Sequence, residues 1–295
     1  MQHTSTIKIL ILFFGLSIGR GVAAQPVERP NFLFLITDDQ TYESIHALNN
    51  PEIQTPNMDR LVSMGATFTH CFNQGSWSGA VCVASRTMLI TGQTVFRAPK
   101  NMKYLMKWAS EDLPEAKQQE VPLWSEVFTN AGYATFLTGK WHNTDYAALK
   151  GFTYAKSIGA GMYETLDPSG SREPGYHRGA LTDSEWRPWD LKFTGHWSPA
   201  VKDIVYEDGE KKIGEKHTVN KHTSELYADN AIAFLRGHTA TSDKPFFMYV
   251  AFNAPHDPRQ SPREFVEMYP REKMKIPPNY LPEHPFDQGD HKIRD

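Results

Sequence analysis

Three short stretches of the 295-residue chain carry side chains that could share one ionic reaction: Asp38-Asp39, Lys140-Trp141-His142 and Pro255-His256. Two adjacent carboxylates without a matching cluster of His or Cys ligands suit a hard, oxygen-preferring cation such as Ca2+ or Mg2+ better than zinc. Lys140, His142 and His256 add the basic groups of a pocket for an oxyanion, of the kind that stabilises charge developing on a transferred sulfuryl or phosphoryl group. Taken singly, each stretch has an ordinary explanation as a helix cap, a surface pair or a satisfied loop histidine. They support one another because each follows an apolar run that reads as a strand, or its flanking turn.

A nucleophile is offered by Cys82, in the run Cys82-Val-Ala-Ser-Arg86-Thr-Met-Leu-Ile-Thr-Gly92. A thiol at a helix N-terminus, four residues before an arginine, lies in a positive field that activates it. Spacing alone leaves a buried structural cysteine open as the alternative. A tyrosine-phosphatase loop needs more than the three residues found here between cysteine and arginine.

These side chains need elements whose ends meet. Residues 31–37 (NFLFLIT) form a continuous apolar run between Pro30 and the paired aspartates, as expected of a central strand buried on both faces of a parallel sheet. Thr55-Pro56 offers an N-cap and a first-turn proline to a short helix with Met58, Leu61 and Val62 on one face and Gly65 as its stop. Leu123, Val127, Phe128 and Ala131 repeat the helical spacing before Gly132, and a strand from Ala134 to Leu137 runs into Thr138-Gly139-Lys140. Thr223 or Ser224 is expected to cap a third helix, and residues 246–252 (FFMYVAF) read as another buried strand. Strands alternating with helices imply a parallel sheet covered on both sides, which places ligands at the carboxyl ends of its strands.

Composition agrees with a large exported domain. The chain is 40% apolar, 12% aromatic and 22% charged, with 20 Gly and 20 Pro, which excludes disorder, fibres and helical bundles. A net charge of -3 leaves no basic field for nucleic acid or anionic lipid, so anion recognition must be local. Lys8, the apolar run Ile9–Ile18 and Gly-Val-Ala-Ala at 21–24 read as an export signal cleaved after Ala24, although Arg20 keeps a lipoprotein or uncleaved variant open. The apolar run falls short of the roughly 20 residues that span a bilayer, and a periplasmic or secreted product without a stable membrane span is expected. In an oxidising compartment Cys71 and Cys82, the only two cysteines, invite suspicion of a disulfide.

The run C-V-A-S-R-T-M-L-I-T-G resembles the signature of the sulfatase family, with Ala84 in place of the commoner proline. Further blocks similar to that family follow in the expected order: N-F-L-F-L-I-T-D-D, T-P-N-M-D-R-L-V-S-M-G-A-T-F, G-Y-A-T-F-L-T-G-K-W-H and K-P-F-F-M-Y-V-A-F-N-A-P-H. The resemblance, over roughly residues 29–290, implies an α/β/α sandwich of the alkaline phosphatase superfamily with a mainly parallel central sheet. It implies that a maturation enzyme converts Cys82 to formylglycine, and that Asp38, Asp39 and the residue formed from Cys82 bind Ca2+. Arg86 and Lys140 look like the positions that hold the nucleophile and the sulfate. His142 resembles the base acting on the second hydroxyl of the aldehyde hydrate, and His256 the group that assists departure of the alcohol. An aldehyde hydrate suits the task, because one hydroxyl attacks sulfur and deprotonation of the other ejects sulfate, whereas a plain serine would be trapped as a stable ester.

The activity so implied is hydrolysis of sulfate esters, of a sulfated carbohydrate or other small molecule. Phosphodiester or phosphonate hydrolysis is the alternative within the superfamily, and a non-catalytic sulfatase homologue is the third. The chain departs from the family in lacking the later Asp-Asn or Asp-His pair and second lysine that complete the calcium and sulfate sites. Residues 25–295 are therefore expected to be an incomplete N-terminal catalytic domain, truncated at its C-terminus, poorly stable and nearly inactive alone. Residues 143–220, rich in Gly and aromatics, read as a long insert above the site or as a subdomain packed on the core, with Trp197 or His196 placed to stack on or hydrogen-bond a sugar.

Overall fold

The computed structural model describes residues 29–77, 81–101, 120–160, 187–191 and 195–281, with residues 31 onward forming one compact unit apart from the first 30. The segment read as an export signal lies outside the described residues. The strands are β1 (Phe32–Ile36), β2 (Ala134–Lys140), β3 (Tyr154–Gly159), β4 (Ala200–Lys202), β5 (Ile204–Glu207), β6 (Glu210–Ile213), β7 (His217–Thr218) and β8 (Phe246–Ala251). The helices are α1 (Pro56–Met64), α2 (Val81–Thr91), α3 (Trp124–Asn130), α4 (Asp145–Gly151), α5 (Thr223–Thr241) and α6 (Arg263–Glu267). No helix among the described residues is long and apolar enough to cross a membrane.

The main sheet runs β1-β8-β2-β3-β4-β7, and β5 pairs with β6 in a separate hairpin. β8 is parallel to β1 on one side and to β2 on the other, and β2 is parallel to β3. The antiparallel pairings described in this sheet are those of β4, with β3 and with β7. The expected α/β architecture with a mainly parallel sheet is therefore present.

Alternation along β8 divides its side chains between two layers, as the pleat requires. Phe247, Tyr249 and Ala251 join Leu137, Trp141 and Phe152 in the larger core, where α3 contributes Trp124 and Phe128. Met248 and Val250 join Phe136 and the α5 residues Ala231, Phe234 and Leu235 on the other side. Phe128 stacks on Phe247 at 4.4 Å, and Phe136 on Phe234 at the same separation.

The run at 31–37 does form a strand, but not a central one. β1 ends the described sheet; Phe34 and Ile36 pack into the larger core while Leu33 and Leu35 stay 52% and 49% exposed. Leu33 and Leu35 stand in register with Met248 and Val250, on the face that α5 covers, yet α5 packs chiefly on β2, β3 and β8. An apolar run records that both faces favour burial and says nothing of strand order, so β8 holds the central place expected of β1.

Two further differences concern α5 and the stretch 143–220. His222, not Thr223 or Ser224, caps α5, its Nδ1 accepting the Ser224 backbone N–H at 3.2 Å. Within 143–220 the described residues build α4, β3 and β4 to β7, and β3 extends the main sheet beside β2. The sequence YAKSIG of β3 alternates exposed and buried positions and breaks its apolar pattern with Lys156 and Ser157, which hid the strand. Residues 161–186 and 192–194 lie outside the described set.

Candidate functional site

The carboxyl ends of β1, β8 and β2 lie side by side, and the backbone fixes how they do so. Beyond β1, the Phe252 N–H donates to the Ile36 carbonyl at 2.8 Å and the Asp38 N–H to the Ala254 carbonyl at 3.2 Å, so Asp38 is tied to the segment following β8. Beyond it, Asp39 takes a left-handed conformation (φ 62°), and it is exposed where Asp38 is buried. β2 ends with a register shift between Thr138 and Gly139, an irregularity of the kind that re-aims a following side chain. A Cβ at Gly139, where φ is 98°, would stand 1.9 Å from the Ala251 carbonyl oxygen, so only glycine fits there.

Lys140 follows, buried to 1% exposure, and its ammonium donates to Asp38 Oδ2. Arg86 reaches the same oxygen at 3.8 Å from the second turn of α2, while its Nη1 donates to the Lys140 carbonyl and, at 3.4 Å, to the Tyr249 hydroxyl. Burial raises the Asp38 carboxyl, but the charges of Lys140 and then Arg86 outweigh it and hold the group below the usual carboxylate range. A Lys-x-His after a strand usually faces water; here Asp38 supplies the countercharge that lets the lysine be buried.

Cys82 stands in the first turn of α2, half-buried, with its thiol hydrogen-bonded to Asp38. Burial pushes the thiol up, and the Asp38 and Asp39 carboxylates reinforce that rise against the pull of Lys140. The helix-terminus activation expected of this thiol is thus outweighed, first by burial and then by two neighbouring negative charges. Cys71 and Cys82 are not joined in a disulfide, and Cys71 is exposed.

His256 arrives from the loop after β8. Its Nδ1 lies 2.8 Å from the Asp257 carbonyl, which can only accept, so Nδ1 carries the hydrogen and Nε2 is turned to the site, 3.7 Å from Asp39 Oδ2. One ligand atom each from Asp38, Cys82 and His256 lie within 4.8 Å of one another. Asp39 reaches this group through His256. His142, left-handed at φ 58°, has its ring nitrogens buried; desolvation, followed by the charges of Lys140 and Arg86, lowers its pKa to about 3.

His196 emerges as the group that holds the His256 loop in place. It is 1% exposed, which removes it as a sugar-stacking side chain. Nε2 donates to the His256 carbonyl at 3.0 Å, and Nδ1 lies 2.8 Å from the Thr223 hydroxyl at the start of α5. Its backbone N–H donates to Gln260 Oε1 at 2.7 Å, and its ring stacks on His222 at 5.2 Å. Trp197 donates its indole N–H to the Pro188 carbonyl and sets its ring edge-on against His222. Nothing local in the sequence marks His196 as a loop anchor, because its partners lie 27 and 60 residues further along the chain.

The arrangement offers carboxylates to a hard cation, buried positive charge to an anion and two imidazoles to proton transfer. A calcium ion takes about six to eight oxygens. The donor chemistry of Asp38 and Asp39 fits such an ion, with two carboxylates supplying part of the shell.

A family model described as Sulfatase matches residues 30–285. The N-acetylglucosamine-6-O-sulfatase of Bacteroides thetaiotaomicron is 26% identical over 256 residues, covering 86% of this chain and 36% of that protein. The N-acetylgalactosamine-6-sulfatase of Mus musculus is 26% identical over 276 residues, covering 89% of this chain and 46% of that protein. The chain thus spans less than half the length of these curated relatives. Among solved structures, that of Ps i-CgsB in complex with k-i-k-neocarrahexaose shares the fold with a TM-score of 0.54, at 21% identity over 84% of this chain and 50% of that one.

Proposed function

Because the chain belongs to the sulfatase family, we propose that its cluster at the ends of β1, β2 and β8 hydrolyses sulfate esters, those of a sulfated carbohydrate in particular. The observation that carries this reading is the meeting of Asp38, Cys82 and His256 within 4.8 Å, with the cations of Lys140 and Arg86 directed at Asp38. The choice of substrate class rests on relatives named for sulfated amino sugars.

In this reading a maturation enzyme converts Cys82 to formylglycine, which supplies a hydrated aldehyde as nucleophile. Asp38 and Asp39 would hold a calcium ion, which supplies positive charge beside the sulfate. The chain's own groups do the rest. Lys140 and Arg86 present buried positive charge beside the anionic ester, favouring the transition state as negative charge shifts among its oxygens. His142, neutral at physiological pH, takes a proton from the nucleophile's side of the site. His256, its Nδ1–H held by the Asp257 carbonyl and its Nε2 toward the cluster, passes a proton from Nε2 to the departing alcohol when the ring is in its doubly protonated form. Export through residues 1–24 places the protein in the periplasm or medium.

The test compares chain produced with a formylglycine-generating enzyme, as wild type and as Cys82→Ala, on an aryl sulfate and an aryl phosphonate in calcium buffer. Slow calcium-dependent sulfate release, absent from Cys82→Ala, is expected. Preferred cleavage of the phosphonate would transfer the site to the phosphodiester or phosphonate class. No turnover of either ester by protein shown by mass spectrometry to carry the aldehyde would leave a non-catalytic homologue.

A further inference from the structure

We infer that, while residue 82 is still a cysteine, Cys82, His256 and Asp38 form a zinc site, so that maturation of one side chain changes which metal this cleft holds. The three ligand atoms, from the start of α2, the loop after β8 and the turn after β1, already lie within 4.8 Å of one another. Bonds of about 2.0–2.3 Å from a tetrahedral zinc require a contraction of roughly 1 Å, within reach of side-chain torsions. The inference goes beyond the proposed sulfatase chemistry and rests on it only in treating the thiol as a precursor.

The donors favour zinc for three reasons. Thiolate and imidazole select borderline and soft metals, whereas calcium ligates neither well. His256 is preset, because its Nδ1–H donates to the Asp257 carbonyl and leaves the Nε2 lone pair directed at the cluster, the outer-shell arrangement that zinc-bound histidines use. Three protein ligands also leave a fourth position for water, as in open zinc sites. The charges tolerate the ion: thiolate, Asp38 and Asp39 carry three negative charges against Lys140 and Arg86. On binding, the S–H bond breaks, sulfur donates its pair to the metal and the proton leaves to solvent. Replacing sulfur by the oxygens of an aldehyde hydrate removes the soft donor and returns the cleft to hard cations.

The experiment uses the 295-residue chain made without a maturation enzyme, its intact thiol verified by mass spectrometry, and titrates it with Co2+ as a spectroscopic stand-in for Zn2+. A thiolate-to-cobalt charge-transfer band is expected, erased by Zn2+ and unaffected by excess Ca2+. Cys71→Ser keeps the band, Cys82→Ser loses it and His256→Gln weakens cobalt binding about tenfold or more. As a check within the wild-type fold, Zn2+ slows alkylation of Cys82 and leaves exposed Cys71 reactive. Absence of the band, its survival in Cys82→Ser, or equal alkylation of Cys82 with and without Zn2+ overturns the assignment. None of these readouts involves ester hydrolysis, so failure here and failure of the sulfatase reading are separate results.

Discussion

The Lys140 ammonium rests on the Asp38 carboxylate, joining the ends of β2 and β1 across the strand that separates them, β8. Both groups are buried, so each is the other's replacement for water. Removing one partner strands the other: Lys140→Met should cost about 3 kcal/mol, toward the lower end of the usual range because Arg86 remains near Asp38. Adding Asp38→Asn to that variant should recover most of the loss. Urea midpoints of the two singles and the double give the coupling, and additive losses would show that the pair does not act as a unit.

Gly139→Ala tests the backbone beneath Lys140. The added methyl group would meet the Ala251 carbonyl at 1.9 Å at a φ of 98°, so β2 and β8 must separate. A loss of about 3 kcal/mol or more is expected, with hydrolysis falling alongside. Gly92→Ala is the control: its φ is also positive at 64°, but nothing lies within 4 Å, so the loss should be no more than about 1–2 kcal/mol.

His142 and His196 have folded pKa values near 3, against 6.5 for an ordinary histidine, with desolvation the leading cause at both. Between those pH values the unfolded chain binds the extra protons, so stability falls with falling pH, by about 1.4 kcal/mol per pH unit for each residue. His196→Gln should flatten the dependence of the urea midpoint between pH 7 and 5. An unchanged slope would mean that His196 titrates normally in the fold.

Much of this architecture was legible because long apolar runs record burial directly: the runs read at 246–252 and 134–137 stand as the strands Phe246–Ala251 and Ala134–Lys140. The residues that meet at the cluster could be singled out because a strand end is a local feature: Asp38 and His256 come after one, and Lys140 closes one. β3 was hidden by Lys156, whose ammonium is paired with Asp203, and by Ser157, whose backbone N–H the same carboxylate accepts 46 residues later in the chain. Strand order and the anchoring role of His196 were likewise out of reach, since both depend on contacts between distant segments.

Asp39 differs from Asp38 in being exposed, so its charge can be removed without burying an orphan. Asp39→Asn should leave stability without calcium within about 0.5 kcal/mol of the wild type. If calcium binds as proposed, the substitution should nevertheless diminish the thermal stabilisation that the ion would confer, about 2.7 kcal/mol at a hundredfold excess over Kd. Differential scanning fluorimetry with and without calcium checks both halves, and an unaltered calcium response would remove Asp39 from the ligand set.

The central position of β8 has a bearing on biogenesis. Its partners are made long before it, Phe247 pairing with a residue as early as Phe32, so a ribosome must supply well over two hundred residues before the gap between β1 and β2 can close. Until then Asp38, Cys82 and Lys140 sit on segments with no shared scaffold, and a nascent chain exposes the cysteine motif as accessible polypeptide. Insertion of this late-arriving strand is the event that gathers three scattered stretches of polypeptide into one neighbourhood.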